Sequence, residues 1–362
     1  MDLDNARVIN AAGKLTALGG SAQSEAIANG QAKAARMHLD IGALREQVAS
    51  QIADHCGAEA ACVTSGAAAG ITISTAAMIC RDNSELVTRL PEIPEPKAIV
   101  IQAGHNINFG ADVEQMVHMA GADTIIAGNN DKVTESDLEA ALRGGPMAIL
   151  YVQSHHCIQE NRVDLTNCIE LANDEGVPVI VDAAAEDDLQ KYIAMGAELV
   201  IYSGGKAFGG PTSGFIVGSK NLIELCEYQF LGIARPMKVS KEQLIGLSLA
   251  LTEYTARDHE ATLLSWDHLN QKLVDAFLES SFYKLDIKPD EAGRNFSRVA
   301  IMPNQEKFDC RDLVRFLVGG SPTIRTRNHQ VSEGRVLIDP RELSDNDMDE
   351  LITRLSEFEN NQ

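Results

Sequence analysis

From Ala60 onward the chain alternates short, almost purely apolar runs with longer stretches of mixed polarity. The runs are AACVTS (60–65), AIVIQA (98–103), DTIIAG (123–128), MAILYVQS (147–154), VPVIVDAA (177–184), ELVIYSGG (198–205) and GFIVG (214–218). Continuous apolarity without polar alternation predicts strands covered on both faces, the mark of a mainly parallel sheet between helices. GFIVG follows its predecessor after the short turn GGPTSG, too short for a helical crossover, so it is expected to pair antiparallel or to lie at an edge. Upstream, LDIGALREQVASQIADHCG (39–57) spaces its apolar residues as a helix does and stops at Gly57, a C-cap residue type. Residues 8–21, VINAAGKLTALGGS, are rich in Gly and Ala and suit a segment lying across another surface.

Beyond Leu222 the pattern is helical to about Glu279, with a break near Gly232 to Pro236. The last eighty or so residues change character: LDIKP, RVAIMP and RVLIDP read as strands, DCRDLVRFLVGG and SDNDMDELITRLSEF as helices, the second capped by Ser344 with Asp347 three residues on. The expected division is therefore an N-terminal arm or part of the small domain (1–36), a large α/β domain (37–240), a linking helical region (241–281) and a small α+β domain (282–362). No internal repeat or low-complexity linker interrupts it.

Composition narrows the function classes. A chain of 362 residues exceeds what one core usually holds, which agrees with two lobes. Lys and Arg total 31 against 52 Asp and Glu, a formal charge of -21, and such a surface repels nucleic-acid backbones and anionic membranes. The uncharged stretch 60–80 contains Thr64, Ser65, Gly66, Gly70, Thr72, Ser74 and Thr75 and reads as strand, turn and buried helix rather than a membrane span. The N-terminus shows no secretory signal pattern. Seven scattered cysteines without a C-x-x-C pair point to reduced thiols in a cytoplasmic protein and to no metal site.

The candidate chemistry gathers around LVIYSGGKAFGG (199–210), where an apolar run ends in a small-residue loop carrying Lys206. A lysine among glycines can approach a flat ligand unobstructed and form a Schiff base, although taken alone such a lysine is more often a solvated loop residue. Three further features lie at run ends, where open α/β sheets collect their ligands. Ser65-Gly66-Ala67 opens a helix whose free N–H groups can hold a phosphate. Asp182, backed by Ala183 and Ala184, can keep a pyridine nitrogen protonated, or simply cap the next helix. Ser203 stands in the spacing S-x-x-K with Lys206. In this order the set points to pyridoxal 5'-phosphate. A P-loop is excluded, because Ala207 follows the lysine and no glycine stands five positions before it.

TSGAAAG, VDAAAEDDL and SGGKAFGGPTSG resemble the fold-type I pyridoxal-phosphate enzymes, specifically the selenocysteine synthase (L-seryl-tRNA(Sec) selenium transferase)-related family. SHHCIQ (154–159), DAAAEDDL (182–189) and GIARPMKVSKEQLIGL (232–247) resemble its D-glucosaminate-6-phosphate ammonia-lyase branch, and VINAAGKLTALGGS and IDPREL extend the resemblance over nearly the whole chain. The resemblance implies a fold-type I transferase architecture with Lys206 as the cofactor lysine, Asp182 as the pyridinium partner, Ala184 beside the ring, and Ser65, Gly66, Ala67 and Ser203 on the phosphate. His105 becomes the ring-stacking or proton-handling group. Gln153, Ser154 and His155 come near the phenolic oxygen, with the inward choice between His155 and His156 open. Arg325 and Arg327 are candidates for a substrate carboxylate, Arg325 favoured. Lys14, Arg235 and Lys238 are candidates for a distal phosphate.

The implied activity is elimination of water and ammonia from a small hydroxylated amino acid or amino sugar acid, with D-glucosaminate 6-phosphate as the implied substrate and a 2-keto-3-deoxy acid as product. A homodimer or higher homo-oligomer is implied as well. The sequence departs from the tRNA-dependent synthase in being shorter and strongly acidic, without an evident tRNA-binding extension. Racemisation, transamination and retro-aldol cleavage use the same apparatus and stay open, as do a nucleotide-binding protein and a non-catalytic binding protein on the same fold.

Overall fold

The computed structural model describes residues 7–81, 83–154, 157–291 and 293–361. The chain divides into two compact units: Gln23–Thr255, and the N-terminal residues through Ala22 together with the chain from Ala256 onward. Strand β1 (Val8–Ala11) belongs to the second of these.

The larger unit opens with α1 (Glu25–Ala35), a helix the small-residue composition did not reveal, started by the Ser24 side chain accepting from the Ile27 N–H. In α2 (Ile41–Cys56) Asp40 accepts from Ala43 N–H at the start, and Gly57 ends the helix at φ 62°, a left-handed conformation that suits glycine. There follow β2 (Ala60–Thr64), α3 (Ala67–Cys80), β3 (Ala98–Gln102), α4 (Val113–Met119), β4 (Asp123–Ala127), α5 (Glu135–Leu142), β5 (Ala148–Val152), α6 (Leu165–Asp174), β6 (Val179–Asp182), α7 (Lys191–Ala194), β7 (Leu199–Ser203), β8 (Gly214–Gly218), α8 (Lys220–Tyr228) and α9 (Lys241–Ala256). All seven apolar runs are strands of one sheet in the order β2-β8-β7-β6-β5-β3-β4. The pairs from β7 to β4 are parallel. β8 pairs antiparallel with both β7 and β2, so it lies inside the sheet and not at its edge.

Alternation of side chains along each strand separates two cores. Val63, Val100, Tyr151, Val181 and Val200 pack on one face with Ile52, Leu138, Ile169 and Leu247. Cys62, Ile99, Ile101, Leu150, Ile180 and Ile201 pack on the other with Ile73, Ala77, Val117 and Ile223. Because both faces are covered, the strands carry no polar alternation, which is the pattern visible in the sequence. α3 lies close on the sheet: a Cβ at Gly70 would stand 2.6 Å from a side-chain carbon of Ile201, so glycine lets the helix lie on β7 at this distance.

The smaller unit contains α10 (His259–Ala276), β9 (Tyr283–Pro289), β10 (Ser297–Pro303), α11 (Cys310–Val318), β11 (Thr323–Thr326), β12 (Val336–Ile338) and α12 (Asp345–Asn360). Its main sheet is antiparallel, β12-β10-β9. β1 pairs parallel with β11 in the register Val8↔Thr323 to Ala11↔Thr326, so the N-terminal segment is a strand of this unit. Ile9, Ala11, Val299, Ile301, Leu313, Ile338 and Leu351 share its core. Ser344 caps α12 with the full capping box, its side chain accepting from Asp347 N–H while Asp347 accepts from the Ser344 N–H. Among the described residues, no helix is long and apolar enough to cross a membrane.

Candidate active site

The residues singled out in the larger unit stand at the C-terminal ends of β2, β3, β5, β6 and β7. Ser65 and Gly66 form the turn between β2 and α3, with the Thr64 hydroxyl donating to Gly66 O at 2.9 Å. No side-chain hydrogen bond from its N-cap residue, Gly66, closes the start of α3, which opens from a turn of small residues. Gly214 makes this possible: a Cβ there would lie 2.7 Å from Gly66 C and 2.9 Å from Ala67 N. Gly214 also pairs with both Thr64 and Ser203, which ties the helix start to the end of β7.

Asp182 ends β6, only 8% exposed, with Oδ1 accepting from Ala184 N–H at 3.1 Å. Burial pushes its carboxyl above the ordinary value, and the neighbouring Lys206 charge opposes that rise. The half-buried Lys206 sits in the turn after β7, where Gly209 N–H donates to its carbonyl and Gly210 N–H donates to Gly204 O. A Cβ at Gly204 would stand 2.3 Å from Ser213 Oγ, so this loop folds on itself only with glycine there. Gln153 and Ser154, both half-buried, leave β5, and Gln153 N–H donates to Asp182 O at 2.9 Å. His155 and His156 lie outside the described residues.

His105 follows β3 and is fully buried. Val152 N–H donates to its Nδ1 at 3.3 Å, which puts the ring proton on Nε2, and Nε2 has no partner among the described residues. The ring meets Tyr151 edge-on at 4.6 Å. Burial depresses its pKa to about 4, so the imidazole is neutral at pH 7.

Cys157 escaped the sequence reading, since a lone cysteine gives no local signal. It is half-buried, its thiol pushed up to about 12 by burial and by the Asp182 charge. All seven cysteines are unpaired thiols.

Arg325 and Arg327 belong to the smaller unit. Arg325 is exposed on β11, whereas Arg327, one residue beyond that strand, is buried. Lys14, also in this unit, is paired with Glu342 at 3.5 Å.

A lysine, a buried carboxylate and a helix N-terminus stand at the C-terminal edge of a mainly parallel sheet, the place where α/β enzymes gather their ligands. The comparisons with known proteins supply the family. The family model described as SelA, L-seryl-tRNA selenium transferase, matches residues 8–273. A D-glucosaminate-6-phosphate ammonia lyase from Salmonella typhimurium is 36% identical over 97% of this chain and 95% of its own. A 5'-C-glycyluridine monooxygenase-decarboxylase from a Streptomyces species is 36% identical over 97% and 89%. A solved D-glucosaminate-6-phosphate ammonia-lyase superposes with TM-score 0.88 at 36% identity, covering 97% of this chain and 95% of that one. The apo cysteine desulfurase from Thermococcus onnurineus NA1, at TM-score 0.62 and 13% identity, shares the fold alone over 98% and 95%.

The chain belongs to the L-seryl-tRNA selenium transferase family. It is an enzyme with the fold-type I architecture of the pyridoxal-phosphate-dependent families, of the lyase kind.

Proposed function

We propose that the chain is a pyridoxal 5'-phosphate-dependent lyase that removes water and ammonia from a small hydroxylated amino acid, D-glucosaminate 6-phosphate being the proposed substrate and a 2-keto-3-deoxy acid the product. The observation that carries this reading is the buried Asp182 within the field of Lys206, both at strand ends of the sheet whose β2 runs into α3. When bound, the cofactor supplies a cationic ring that takes up the electron pair left when carbon 2 of an amino acid loses its proton.

The residues present fit that group. Asp182 is a buried carboxylate with one backbone donor, and a protonated ring nitrogen would satisfy it. The amides opening α3, with Ser65 and Ser203, would hold the phosphate, and the space beside Gly66 Cα is open. Lys206 Nζ would hold the aldehyde and, once released by the substrate amine, take the proton from carbon 2. Ala184 leaves room against one ring face. His105, neutral and closed in by Tyr151, is assigned ring packing. His155 is assigned the proton for the departing hydroxyl. Arg325, whose guanidinium is exposed, is assigned the substrate carboxylate. We also propose a cytoplasmic homo-oligomer without a nucleic-acid substrate.

The test is the absorption spectrum of the purified protein before and after borohydride, with mass analysis of the peptide containing Lys206. A band near roughly 410–430 nm, lost on reduction and leaving pyridoxyl mass on Lys206, is the expected result. In Lys206→Ala the band and turnover should both vanish while the circular dichroism stays that of a folded protein. A wild-type rate in that variant would remove Lys206 from the chemistry.

The equal 36% identity to the monooxygenase-decarboxylase favours one second reading, an oxygen-consuming decarboxylation. Keto acid and ammonia released under argon support the lyase; oxygen uptake matched by carbon dioxide release supports the other.

A further inference from the structure

In the smaller unit of a chain that is otherwise strongly acidic, two buried arginines, Arg298 and Arg327, and two half-buried ones, Arg294 and Arg341, stand with two buried carboxylates, Asp290 and Asp339. Arg298 on β10 is 2% exposed and donates from Nε to Asp339 Oδ2 at 2.9 Å and from Nη1 to Asp290 Oδ1 at 2.5 Å. Arg294 donates to both oxygens of Asp290, at 2.9 and 3.0 Å, and Arg341 to both oxygens of Asp339, at 2.9 Å each. Arg327, 6% exposed, adds a further guanidinium whose field is dominated by Arg298, Asp339, Arg294 and Arg341. Four cations therefore share two carboxylates. Both carboxyls are already filled with donors: burial alone would raise their pKa, yet the guanidiniums outweigh it and hold them well below the usual carboxylate range.

Two donors are left over. Arg298 Nη2 and Arg327 Nε are buried and have no hydrogen-bond partner among the described residues. The Phe296 ring lies under three of the cations, 4.1 Å from Arg341, 4.6 Å from Arg298 and 5.4 Å from Arg294. A ring quadrupole attracts a cation but carries no net charge and accepts no N–H of this geometry. Among the described residues no acceptor answers these two donors, and buried groups of that kind are answered in folded proteins.

We propose that Arg298 and Arg327 form a binding site for a tetrahedral oxyanion of the phosphate class. A phosphate group near neutral pH carries close to two negative charges, which matches the surplus, and its several acceptor oxygens suit guanidinium forks. A carboxylate would leave one positive charge of the cluster unmatched. The same chemistry has two sources: free inorganic phosphate, or the phosphate of a phosphorylated sugar acid, this second source resting on the lyase reading above. The sequence conceals the site because its members come from β10, from the segment beyond β11 and from the stretch after β12, each an ordinary strand-end arginine in isolation.

The experiment is calorimetric titration of inorganic phosphate into the cofactor-loaded protein in phosphate- and sulfate-free buffer, so that the phosphate position at α3 is already filled. One phosphate per chain is expected. Arg327→Gln should weaken that binding by roughly 10–100-fold, the loss of a charged hydrogen-bond donor, and Arg327→Lys by less. Phosphate-free Arg327→Gln should unfold no earlier than wild type, because an unanswered buried cation has been removed; should it fail to fold, Arg327→Lys carries the comparison. The cofactor band should be the same in all three proteins, which separates this outcome from any failure of the lyase reading. Displacement of phosphate by glucosaminate 6-phosphate but not by glucosaminate assigns the site to the substrate; displacement by neither assigns it to free phosphate. No saturable binding to wild type, or equal affinity in wild type and both variants, overturns the proposal.

Discussion

Asp182 shows how a buried charge is kept for a ligand rather than for stability. Its pKa is raised by burial, so the contribution it makes to folding is fully present below the unfolded pKa and is lost as pH rises through the folded one. Wherever the carboxylate is ionised, its burial costs the cofactor-free protein stability. Asp182→Asn should therefore raise the melting temperature of that form, by about 1 kcal/mol of stability, while lowering turnover by roughly 100-fold or more. Thermal unfolding and keto-acid release measure the two sides, and a lower melting temperature would show that the carboxylate is structurally satisfied without the cofactor. His105 has the opposite sign convention for a base: its folded pKa of about 4 lies below the ordinary value of 6.5. Its stabilising neutrality is present above about pH 6.5 and lost as pH falls toward 4, on the order of 3 kcal/mol at the limit. Denaturant unfolding at pH 4.5 and 7.5 should show a smaller difference for His105→Gln than for wild type. The pH profile of turnover between 6 and 8 should carry no ionisation that disappears with His105.

At the scale of elements, the start of α3 depends on what passes beneath it. Gly214 on β8 lies so close to Gly66 and Ala67 that any side chain must push the helix start away from the end of β7. Gly214→Ala is expected to cost about 1–3 kcal/mol from overpacking, and to weaken cofactor retention as well, because the displaced amides are those proposed for the phosphate. Retention is read from the visible band after dialysis; a destabilised variant that keeps all its cofactor would separate the helix start from the phosphate. Ser344→Ala provides the contrast in the other unit. It removes a capping box and should cost about 1 kcal/mol with the visible band unchanged.

At the scale of the whole molecule, the charge of -21 acts on partners and on the folded state alike. Some relatives in this family are named as acting on seryl-tRNA, among them that of Aquifex aeolicus at 28% identity over 47% of this chain. An acidic surface opposes such a substrate, and tRNA at about 0.15 M salt should produce no mobility shift. A saturable shift at that salt would return a nucleic-acid substrate to the account. Screening should also relieve self-repulsion, so the melting temperature should rise between about 0.02 and 0.2 M sodium chloride.

The sequence alone determined whatever depends on neighbours along the chain. Continuous apolar runs identify strands, and all seven are found; β4, at the edge of the sheet, is not covered on both faces and leaves Ile126 exposed. The helix ending at Gly57 and the capping box at Ser344 are local hydrogen-bonding devices and can be read as such. Lys206, Ser203 and Asp182 could be picked out because strand ends fall where apolarity stops. Only the tertiary structure decided what depends on residues far apart. VINA becomes a strand because Thr323–Thr326 lies alongside it, which its four residues cannot announce. GFIVG takes an interior place because β2 returns to its far side. His105 is neutral because folding buries it, with Tyr151 and Val152 against the ring. The arginines around Asp290 and Asp339 form a cluster only through packing, since charge surplus is a property of a volume and a sequence lists charges along a line.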